Sequence, residues 1–312
     1  MNIVFLDFKT IGKVPNENIL DSLGDVTMYQ TTGPDQTAER IKGADIVITN
    51  KVVLDKDLIR QAEQLKLICV AATGMNNIDL SAAEEKGIPV KNVEDYASKS
   101  VAQGTFALIL HLLYNIPFYD EYVKSGEYSG SDIFTNVDRQ YREIIGKRFG
   151  IIGLGNIGSQ VARIADAFGA EVVYYSTSGR NTDQPWQRLE LEEFLQTSDI
   201  ISIHAPLNEN TANLIDYKRL KLMKPSALLI NTGRGGIVNE TDLARALDED
   251  VIAGAAVDVF EQEPIDRQNP LMEVKKKEKL ILTPHMTWAS IEARTSLMEG
   301  VRQNIEQFLR DD

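Results

Sequence analysis

Three side chains in the second half of the chain could act on a carbonyl group, and two of them follow strand-like runs. Arg234 comes just after the apolar run 227–231, and His285 follows the run 280–282. A guanidinium at the carboxyl end of a strand can hold a carboxylate and polarise a carbonyl oxygen. Imidazole titrates near neutral pH, so it can give a proton to a developing alkoxide or take one back. Glu263 can hydrogen-bond the other ring nitrogen, which fixes the tautomer and favours the protonated acid.

A glycine-rich turn predicts a dinucleotide site. It lies between a predicted strand over 149–153 and a predicted helix over 157–168, and it consists of Gly153, Leu154, Gly155, Asn156, Ile157 and Gly158. Gly153 permits a tight turn, Gly155 lets the backbone approach a pyrophosphate, and Gly158 lets helix and strand pack closely. The helix N-terminus offers free amides and a partial positive charge to phosphates. A glycine-rich turn that binds no ligand is the alternative.

The residues after the next predicted strand, 171–175, bear on which dinucleotide binds. A carboxylate near this point would hold the ribose 2′-hydroxyl of NAD. The chain instead has hydroxyls and a cation there, namely Ser176, Thr177, Ser178 and Arg180. Guanidinium geometry suits a 2′-phosphate, so NADP(H) is favoured over NAD(H). Arg180 as a solvated loop residue, with either cofactor bound, is the other interpretation.

Strand-like runs alternate with amphipathic segments along the chain, which predicts an α/β fold with parallel sheets. The predicted strands are 2–6, 45–49, 67–71, 89–91, 149–153, 171–175, 199–203, 227–231, 252–256 and 280–282. The predicted helices are 15–23, 35–42, 55–63, 80–86, 157–168, 190–196, 216–221 and 239–248. The strands from 2–6 to 89–91 form one series, and those from 149–153 to 280–282 form a second series with similar sequence patterns. We therefore expect two doubly wound, Rossmann-like domains with a cleft between them.

The domain boundaries follow from two further segments. The stretch 100–125 is apolar nearly all round and predicts a buried helix that packs between the domains. The amphipathic segment 289–310 has no strand after it, and the first domain is its natural docking place. We therefore expect a substrate domain of 1–98 plus 286–312 and a dinucleotide-binding domain of 99–285.

Composition narrows the class of protein. The chain has 312 residues, a formal net charge of −13 and one cysteine. The acidic balance disfavours a nucleic-acid partner. A single cysteine, Cys69, rules out an intrachain disulfide and fits a reducing compartment. No apolar run approaches the roughly 18 residues of a membrane span. We expect a cytoplasmic protein without a membrane partner, and we assign no metal ligands.

The chain resembles the D-isomer-specific 2-hydroxyacid dehydrogenases over essentially its whole length, and most closely the glycerate dehydrogenase and hydroxypyruvate reductase branch. The resemblance rests on the glycine-rich turn and on segments that occur in the same order, namely 72–79, 204–207, 231–235, 256–260, 261–264 and 283–285. It implies hydride transfer between NAD(P)H and a small 2-oxo or 2-hydroxy acid. Hydroxypyruvate and glyoxylate fit best, and a homodimer formed through the dinucleotide-binding domain is expected.

The resemblance also implies roles for particular residues. Arg234, Glu263 and His285 match the catalytic set. The further positions implied near the cofactor are Thr105, His204, Ala205, Pro206, Thr211, Thr232, Gly233 and Asp258, the last beside the nicotinamide carboxamide. Near the substrate it implies the loop 72–75, with Thr73, Gly74 and Met75, whose amides can cradle a carboxylate. Apart from the resemblance, Asn50 and Lys51 end another predicted strand of the first domain, so we expect them to face the same cleft, where Lys51 would add positive charge for an anionic substrate. His204 in contact through its backbone alone, and Lys51 as a solvated surface residue, stay open.

The chain departs from the family pattern at two positions. Gln103 stands where an acidic residue is common, and Ser176 replaces the usual carboxylate.

Two other functions stay open. A dinucleotide-sensing protein without turnover is one alternative function, which the intact Arg–Glu–His set disfavours. A formate- or phosphite-type dehydrogenase on the same scaffold is the other.

Overall fold

The computed structural model describes residues 1–180 and 184–311, which fall into two compact units. One unit comprises Met1–Ala97 and Ala289–Asp312, and the other comprises Ser98–Trp288. The boundaries expected from the sequence, after 98 and after 285, lie one and three residues from these. Asn181, Thr182, Asp183 and Asp312 are outside the described residues.

The first unit is built on one parallel sheet. Its strands are Asn2–Phe5 (β1), Asp25–Met28 (β2), Ile46–Thr49 (β3), Leu67–Val70 (β4) and Val90–Lys91 (β5). Their spatial order is β2-β1-β3-β4-β5. The central strands β3 and β4 are buried at every residue, as strands covered on both faces require. Cys69 lies on β4 at 0% exposure, and burial raises the pKa of its thiol to about 12.

The second unit contains a larger parallel sheet. Its strands are Arg148–Ile152 (β6), Glu171–Tyr175 (β7), Gln187–Arg188 (β8), Ile200–Ile203 (β9), Leu228–Asn231 (β10), Gly254–Val257 (β11) and Leu280–Leu282 (β12). Their order is β12-β11-β10-β9-β6-β7-β8. The chain reverses direction across the sheet between β6 and β9, and such a switch point is where doubly wound folds bind ligands.

Helices cover these sheets. In chain order they are Pro34–Ile41 (α1), Lys56–Gln61 (α2), Leu80–Glu85 (α3), Ser98–Tyr114 (α4), Ile116–Lys124 (α5), Asn156–Ala167 (α6), Leu191–Thr197 (α7), Tyr217–Leu220 (α8), Glu240–Asp248 (α9) and Ile291–Asp311 (α10). Short polar side chains cap several of them, as when Asp55 accepts a 2.9 Å hydrogen bond from the Leu58 N–H. The C-terminal helix α10 packs on β4 of the first unit.

The structure corrects three sequence expectations. The predicted helix 15–23 is a run of turns, in which N–H groups bond three residues back, as Ile19 does to Asn16. Asparagine and aspartate, which occur three times in this segment, have low helix propensity. The edge strands β2 and β8 were not predicted, because β2 alternates exposed and half-buried residues and both residues of β8 are exposed.

The predicted helix within 100–125 is two helices. Asn115 takes a left-handed conformation with φ of 50°, and Pro117 follows, so α4 ends and α5 begins at a bend of 58°. The expected burial holds for α4, which packs on α6 and on strands of the second unit, but α5 buries no residue. Among the described residues, no single helix is long and apolar enough to cross a membrane, and α4 with α5 meets that test only as a bent pair.

Candidate active site

The predicted functional residues of the second unit gather at one edge of its sheet. The strands β6, β7, β9, β10, β11 and β12 all run parallel, so their carboxyl ends lie at the same edge. The glycine-rich turn follows β6, the 176–180 segment follows β7, and His204 follows β9. Arg234 follows β10, and His285 follows β12. Residues spread over more than 130 positions of sequence therefore share one edge.

The glycine-rich turn has the geometry that a pyrophosphate needs. Gly153 has φ of +88°, and a Cβ atom there would lie 2.8 Å from the Ala205 backbone nitrogen. A Cβ atom at Gly158 would lie 2.2 Å from the Gly153 carbonyl oxygen, so both positions require glycine. A Cβ atom at Gly155 would meet nothing within 4 Å, which leaves space for a ligand beside the backbone.

The N-terminus of α6 leaves backbone donors without partners. The first helical hydrogen bond is donated by Ser159 to the Gly155 carbonyl oxygen at 2.9 Å. Among the described residues, the N–H groups of Gly155, Asn156, Ile157 and Gly158 have no acceptor. Unpaired amides at a helix N-terminus attract phosphate, so this turn fits the predicted dinucleotide.

The segment after β7 presents the predicted polar groups at different depths. Ser176 is buried and Thr177 is half-buried, whereas Ser178 and Arg180 are exposed. The Ser178 hydroxyl accepts a hydrogen bond from the Arg180 backbone N–H at 3.3 Å. The guanidinium of Arg180 is thus carried on a short turn that starts at the carboxyl end of β7.

The loop after β9 carries His204 and Thr211, which were both predicted to lie near the cofactor and which make different contacts. Nε2 of His204 lies 2.8 Å from the Ser202 hydroxyl. The residue as a whole is half-buried, and desolvation of its ring lowers the pKa of His204 to about 3. Thr211 is 0% exposed and donates to the Pro206 carbonyl oxygen at 2.7 Å. Its hydroxyl also accepts from the Asn208 N–H at 2.8 Å, so Thr211 ties the loop together.

A buried amide shapes the turn that carries Arg234. The side chain of Asn231 accepts from the Gly233 N–H at 3.2 Å and donates to the Arg234 carbonyl oxygen at 3.0 Å. The Arg234 guanidinium donates to the Gly233 carbonyl oxygen at 2.8 Å and is exposed. Within the described part of the chain no carboxylate forms an ion pair with it. Its remaining donors therefore suit an anionic ligand.

Glu263 and His285 form the predicted acid–base pair. Nδ1 of His285 lies 2.8 Å from Oε2 of Glu263, and Oε1 accepts from the Phe260 N–H at 3.0 Å. The Glu263 carboxylate is thus held by the backbone while it holds the ring. Nε2 of His285 has no protein partner among residues 1–180 and 184–311, so a substrate oxygen can reach it.

Asp258 makes contacts that could not be predicted from the sequence. Its carboxylate, 0% exposed, accepts from the hydroxyl groups of Thr283 and Thr287 and from the N–H groups of Met286 and Thr287. A carboxylate has about four acceptor sites, and these bonds use them. The carboxylate therefore holds the segment 283–287, which carries His285.

In the first unit, the loop after β4 has unpaired amides. The N–H groups of Thr73, Gly74 and Met75 have no acceptor among the described residues. The loop is anchored on both sides, because the Thr73 hydroxyl donates to the Val93 carbonyl oxygen at 3.1 Å and Asn92 donates to the Thr73 carbonyl oxygen at 2.7 Å. Three adjacent free donors on an anchored loop can bind a carboxylate.

The structure gives Asn50 a structural role that the sequence analysis did not predict. Its side chain is buried and donates to the Thr10 hydroxyl at 3.0 Å. Its N–H, with those of Lys51 and Val52, donates to the buried carboxylate of Asp7 at 2.6–3.2 Å. Asp7 was missed because a lone acid after a strand carries no motif. Lys51 is exposed at the edge of a cavity of about 650 Å³ in this unit.

Comparison with known proteins places these features in a family. Residues 106–287 match the profile described as "D-isomer specific 2-hydroxyacid dehydrogenase, NAD binding domain". A Haemophilus influenzae protein named "Putative 2-hydroxyacid dehydrogenase" is 39% identical, with 99% of this chain and 98% of that protein covered. A glycerate dehydrogenase of Methylorubrum extorquens is 37% identical, covering 98% and 96%. A hydroxypyruvate reductase of Blautia hydrogenotrophica is 34% identical, covering 93% and 91%.

Solved structures agree with these relatives. An acyclic imino acid reductase in complex with NADPH and D-Arg has a TM-score of 0.87 at 31% identity, covering 100% of this chain and 98% of that one. A D-lactate dehydrogenase of Aquifex aeolicus, complexed with NAD and lactic acid, has a TM-score of 0.85 at 28% identity, covering 100% and 96%.

Proposed function

The chain belongs to the family of D-isomer-specific 2-hydroxyacid dehydrogenases, and from this premise we propose that it reduces hydroxypyruvate or glyoxylate to D-glycerate or glycolate. The observation that carries the proposal is the Glu263–His285 pair at 2.8 Å, at the same sheet edge as Arg234. Relatives named for glycerate, hydroxypyruvate and glyoxylate support this choice of substrate.

The residues of the second unit would divide the work. Bound nicotinamide dinucleotide supplies the hydride that adds to C2 of the 2-oxo acid. Arg234 binds the substrate carboxylate and stabilises negative charge as it develops on the 2-oxo oxygen. His285 gives that oxygen a proton from Nε2, while Glu263 stabilises the imidazolium and keeps Nδ1 as a hydrogen-bond donor. The loop amides of Thr73, Gly74 and Met75 are a second carboxylate-binding group, carried by the first unit.

NADP(H) is the favoured cofactor in this proposal. The end of β7 carries the hydroxyls of Ser176 and Thr177 and, four residues beyond Ser176, the Arg180 guanidinium. A 2′-phosphate would find donors there and no repelling carboxylate among the described residues of this turn. The neighbours hold NADPH in one complex and NAD in the other, so both cofactors belong in the test.

The experiment is a spectrophotometric assay at about 340 nm, where reduced nicotinamide absorbs. Purified protein is given NADH or NADPH with hydroxypyruvate, glyoxylate, pyruvate or longer 2-oxo acids. Rapid oxidation with the two smallest polar substrates is expected, with a larger kcat/KM for NADPH. Cofactor binding without turnover on any substrate would instead favour a dinucleotide sensor. Oxidation of formate or phosphite, or turnover only when an amine is added to the 2-oxo acid, would redirect the substrate assignment.

We also propose that the protein is a homodimer formed through residues 116–145 of the second unit. Half of the exposed large hydrophobic side chains in the described chain lie there, namely Ile116, Val123, Tyr128, Ile133, Phe134, Val137, Tyr141 and Ile145. The preceding helix α4 buries Phe106, Leu108 and Ile109 within its own unit. Phe134 is 88% exposed, so Phe134→Asp should yield monomers in sedimentation velocity. A wild-type monomer would refute the proposal.

A further inference from the structure

A chain of hydrogen bonds links four side chains at the carboxyl ends of β9 and β10. The Ser202 hydroxyl lies 2.8 Å from Nε2 of His204, and Nδ1 of the ring lies 3.4 Å from the Thr232 hydroxyl. The Thr232 hydroxyl lies 3.1 Å from the Thr105 hydroxyl of α4. Ser202 and Thr105 are 0% exposed and Thr232 is 6% exposed, so water has little access to their hydrogens.

This network adjoins the glycine-rich turn. Ala205, the residue after His204, lies so close to Gly153 that a Cβ atom on the glycine would be 2.9 Å from its Cα atom. A Cβ atom on Gly233, the residue after Thr232, would be 3.2 Å from the Ala205 carbonyl oxygen. The network therefore lies beside the backbone that the proposed dinucleotide would contact.

Ser202 has one hydrogen-bond partner among the described residues, and that partner is His204. Burial holds the pKa of His204 far below its ordinary range, so the ring is neutral and carries one hydrogen. A hydrogen on Nε2 would leave the buried Ser202 hydroxyl without an acceptor, which is unfavourable. A hydrogen on Nδ1 satisfies both groups, because Ser202 then donates to Nε2 and the ring donates to Thr232.

The tautomer of His204 decides whether the hydroxyl groups of Thr105 and Thr232 keep a hydrogen that can be donated to a ligand. Their hydroxyls carry two hydrogens, and the bond between Thr105 and Thr232 uses one of them. If Nδ1 were an acceptor, it would take the second hydrogen and close the network. Because Nδ1 is a donor, the second hydrogen has no acceptor among the described residues.

We infer that Ser202 holds His204 in the Nδ1–H tautomer, so that the Thr105–Thr232 pair donates a hydrogen bond to an oxygen of the bound dinucleotide. Ser202 and His204 are positioning residues in this arrangement, and the hydroxyl pair makes the contact. The inference rests on the proposed function, since it requires a dinucleotide at this edge of the sheet. The acceptor is a phosphate or carboxamide oxygen, which share the chemistry that a hydroxyl donor recognises.

Nitrogen-15 NMR of the histidine rings in the cofactor-free wild-type protein reads the tautomer directly. The chain has three histidines, so comparison with His204→Asn assigns the signals of His204. We expect Nδ1 to carry the hydrogen. A ring protonated at Nε2 would overturn the inference, and this measurement does not depend on enzymatic activity.

Cofactor binding tests the second half of the inference. Titration of NADPH and NADH by fluorescence should show binding to Ser202→Ala weakened by about five- to tenfold, the scale of one hydrogen bond. Ser198→Ala is the matched control, since Ser198 is a buried serine just before β9 whose hydroxyl donates to the Phe194 carbonyl oxygen at 2.6 Å. Binding that is equally tight in both serine variants and in the wild type would refute the role of Ser202.

Replacement of the ring separates positioning from general damage to the fold. His204→Asn places an amide N–H near the position of Nδ1, so this variant should bind the cofactor about as tightly as the wild type. Adding Ser202→Ala to His204→Asn should not weaken binding further. His204→Leu should bind the cofactor as weakly as Ser202→Ala. Equal losses in the Asn and Leu variants would contradict the inference. A wild-type protein that binds neither cofactor would refute the proposed function and the acceptor together, whereas the NMR result would still decide the tautomer.

Discussion

Thr287 donates two hydrogen bonds to the same carboxylate oxygen of Asp258, one from its N–H at 3.0 Å and one from its hydroxyl at 2.7 Å. The His285 N–H donates to the Asp258 carbonyl oxygen at 2.8 Å, so the residue holds the segment 283–287 with both its side chain and its backbone. His285 has φ of +51°, a conformation that a residue with a Cβ atom rarely adopts. The bonds to Asp258 oppose this backbone strain.

Asp258→Asn should therefore destabilise the protein and lower turnover. The amide would present N–H hydrogens where four donors now converge, so we expect the free energy of unfolding to fall by about 2–4 kcal/mol. Urea denaturation measures this change, and kcat measures the displacement of His285. Asp166→Asn, at an exposed acid in the same unit, is the control. Wild-type stability in Asp258→Asn would show that the bonds from Asp258 to the segment 283–287 contribute nothing to the free energy of unfolding.

Arg234 should be required for transition-state stabilisation. Arg234→Ala removes the guanidinium from the turn after β10, and we expect kcat/KM to fall about 10²–10³-fold, as for the loss of an oxyanion-binding donor. Arg234→Lys should recover only part of the loss, since lysine cannot form a bidentate contact. Arg188→Ala, at an exposed arginine on β8, should leave the rate unchanged. An Arg234→Ala enzyme with undiminished kcat/KM would remove this residue from the site.

Glu263→Gln should impair the acid–base step without unfolding the protein. The Gln amide oxygen can still accept from the Phe260 N–H, but its NH₂ group would then face Nδ1 of His285 and favour the wrong tautomer. By analogy with carboxylate loss beside other catalytic histidines, kcat should fall by about 10²–10⁴-fold. Glu261→Gln, at an exposed neighbour, serves for comparison. Single-turnover rates would exclude a change in product release.

The segment after β7 should set the choice of cofactor. Arg180→Ala and Ser176→Asp each remove or oppose contacts to a 2′-phosphate, and we expect the ratio of kcat/KM for NADPH to that for NADH to fall at least about tenfold. The rate with NADH is the internal control and should hold or rise. An unchanged ratio in both variants would mean that these residues do not contact the ribose.

His204 should make stability sensitive to mild acid. Its pKa is lowered by burial from 6.5 to about 3, so between these values the unfolded chain binds a proton that the folded chain does not. The stabilisation is fully present above pH about 6.5 and is lost as the pH falls towards 3, at up to about 1.4 kcal/mol per pH unit. His204→Asn should flatten this part of the unfolding curve, while His111→Asn, at an exposed histidine, should not. Parallel slopes for His204→Asn and wild type would contradict the assignment.

Strand positions and the glycine-rich turn could be predicted because each depends on a local pattern. Buried parallel strands are continuous apolar runs, as in β3 and β9, and the turn at Gly153 needs glycine for reasons visible in adjacent residues. The polar edge strand β2 has no such run. The partners of Asp258 lie 25 to 29 residues along the chain, and Thr105 lies 127 residues from Thr232. Such contacts arise from topology, and no local spacing encodes them.

The buried thiol of Cys69 can report how often the first unit opens to solvent. A thiol with 0% exposure and a pKa of about 12 reacts with an electrophile only when β4 opens to solvent. Since the chain has one cysteine, every labelling event reports on that unit alone. The labelling rate, measured with and without cofactor, would then give the rate at which the first unit opens locally. No cysteine has to be introduced for this measurement.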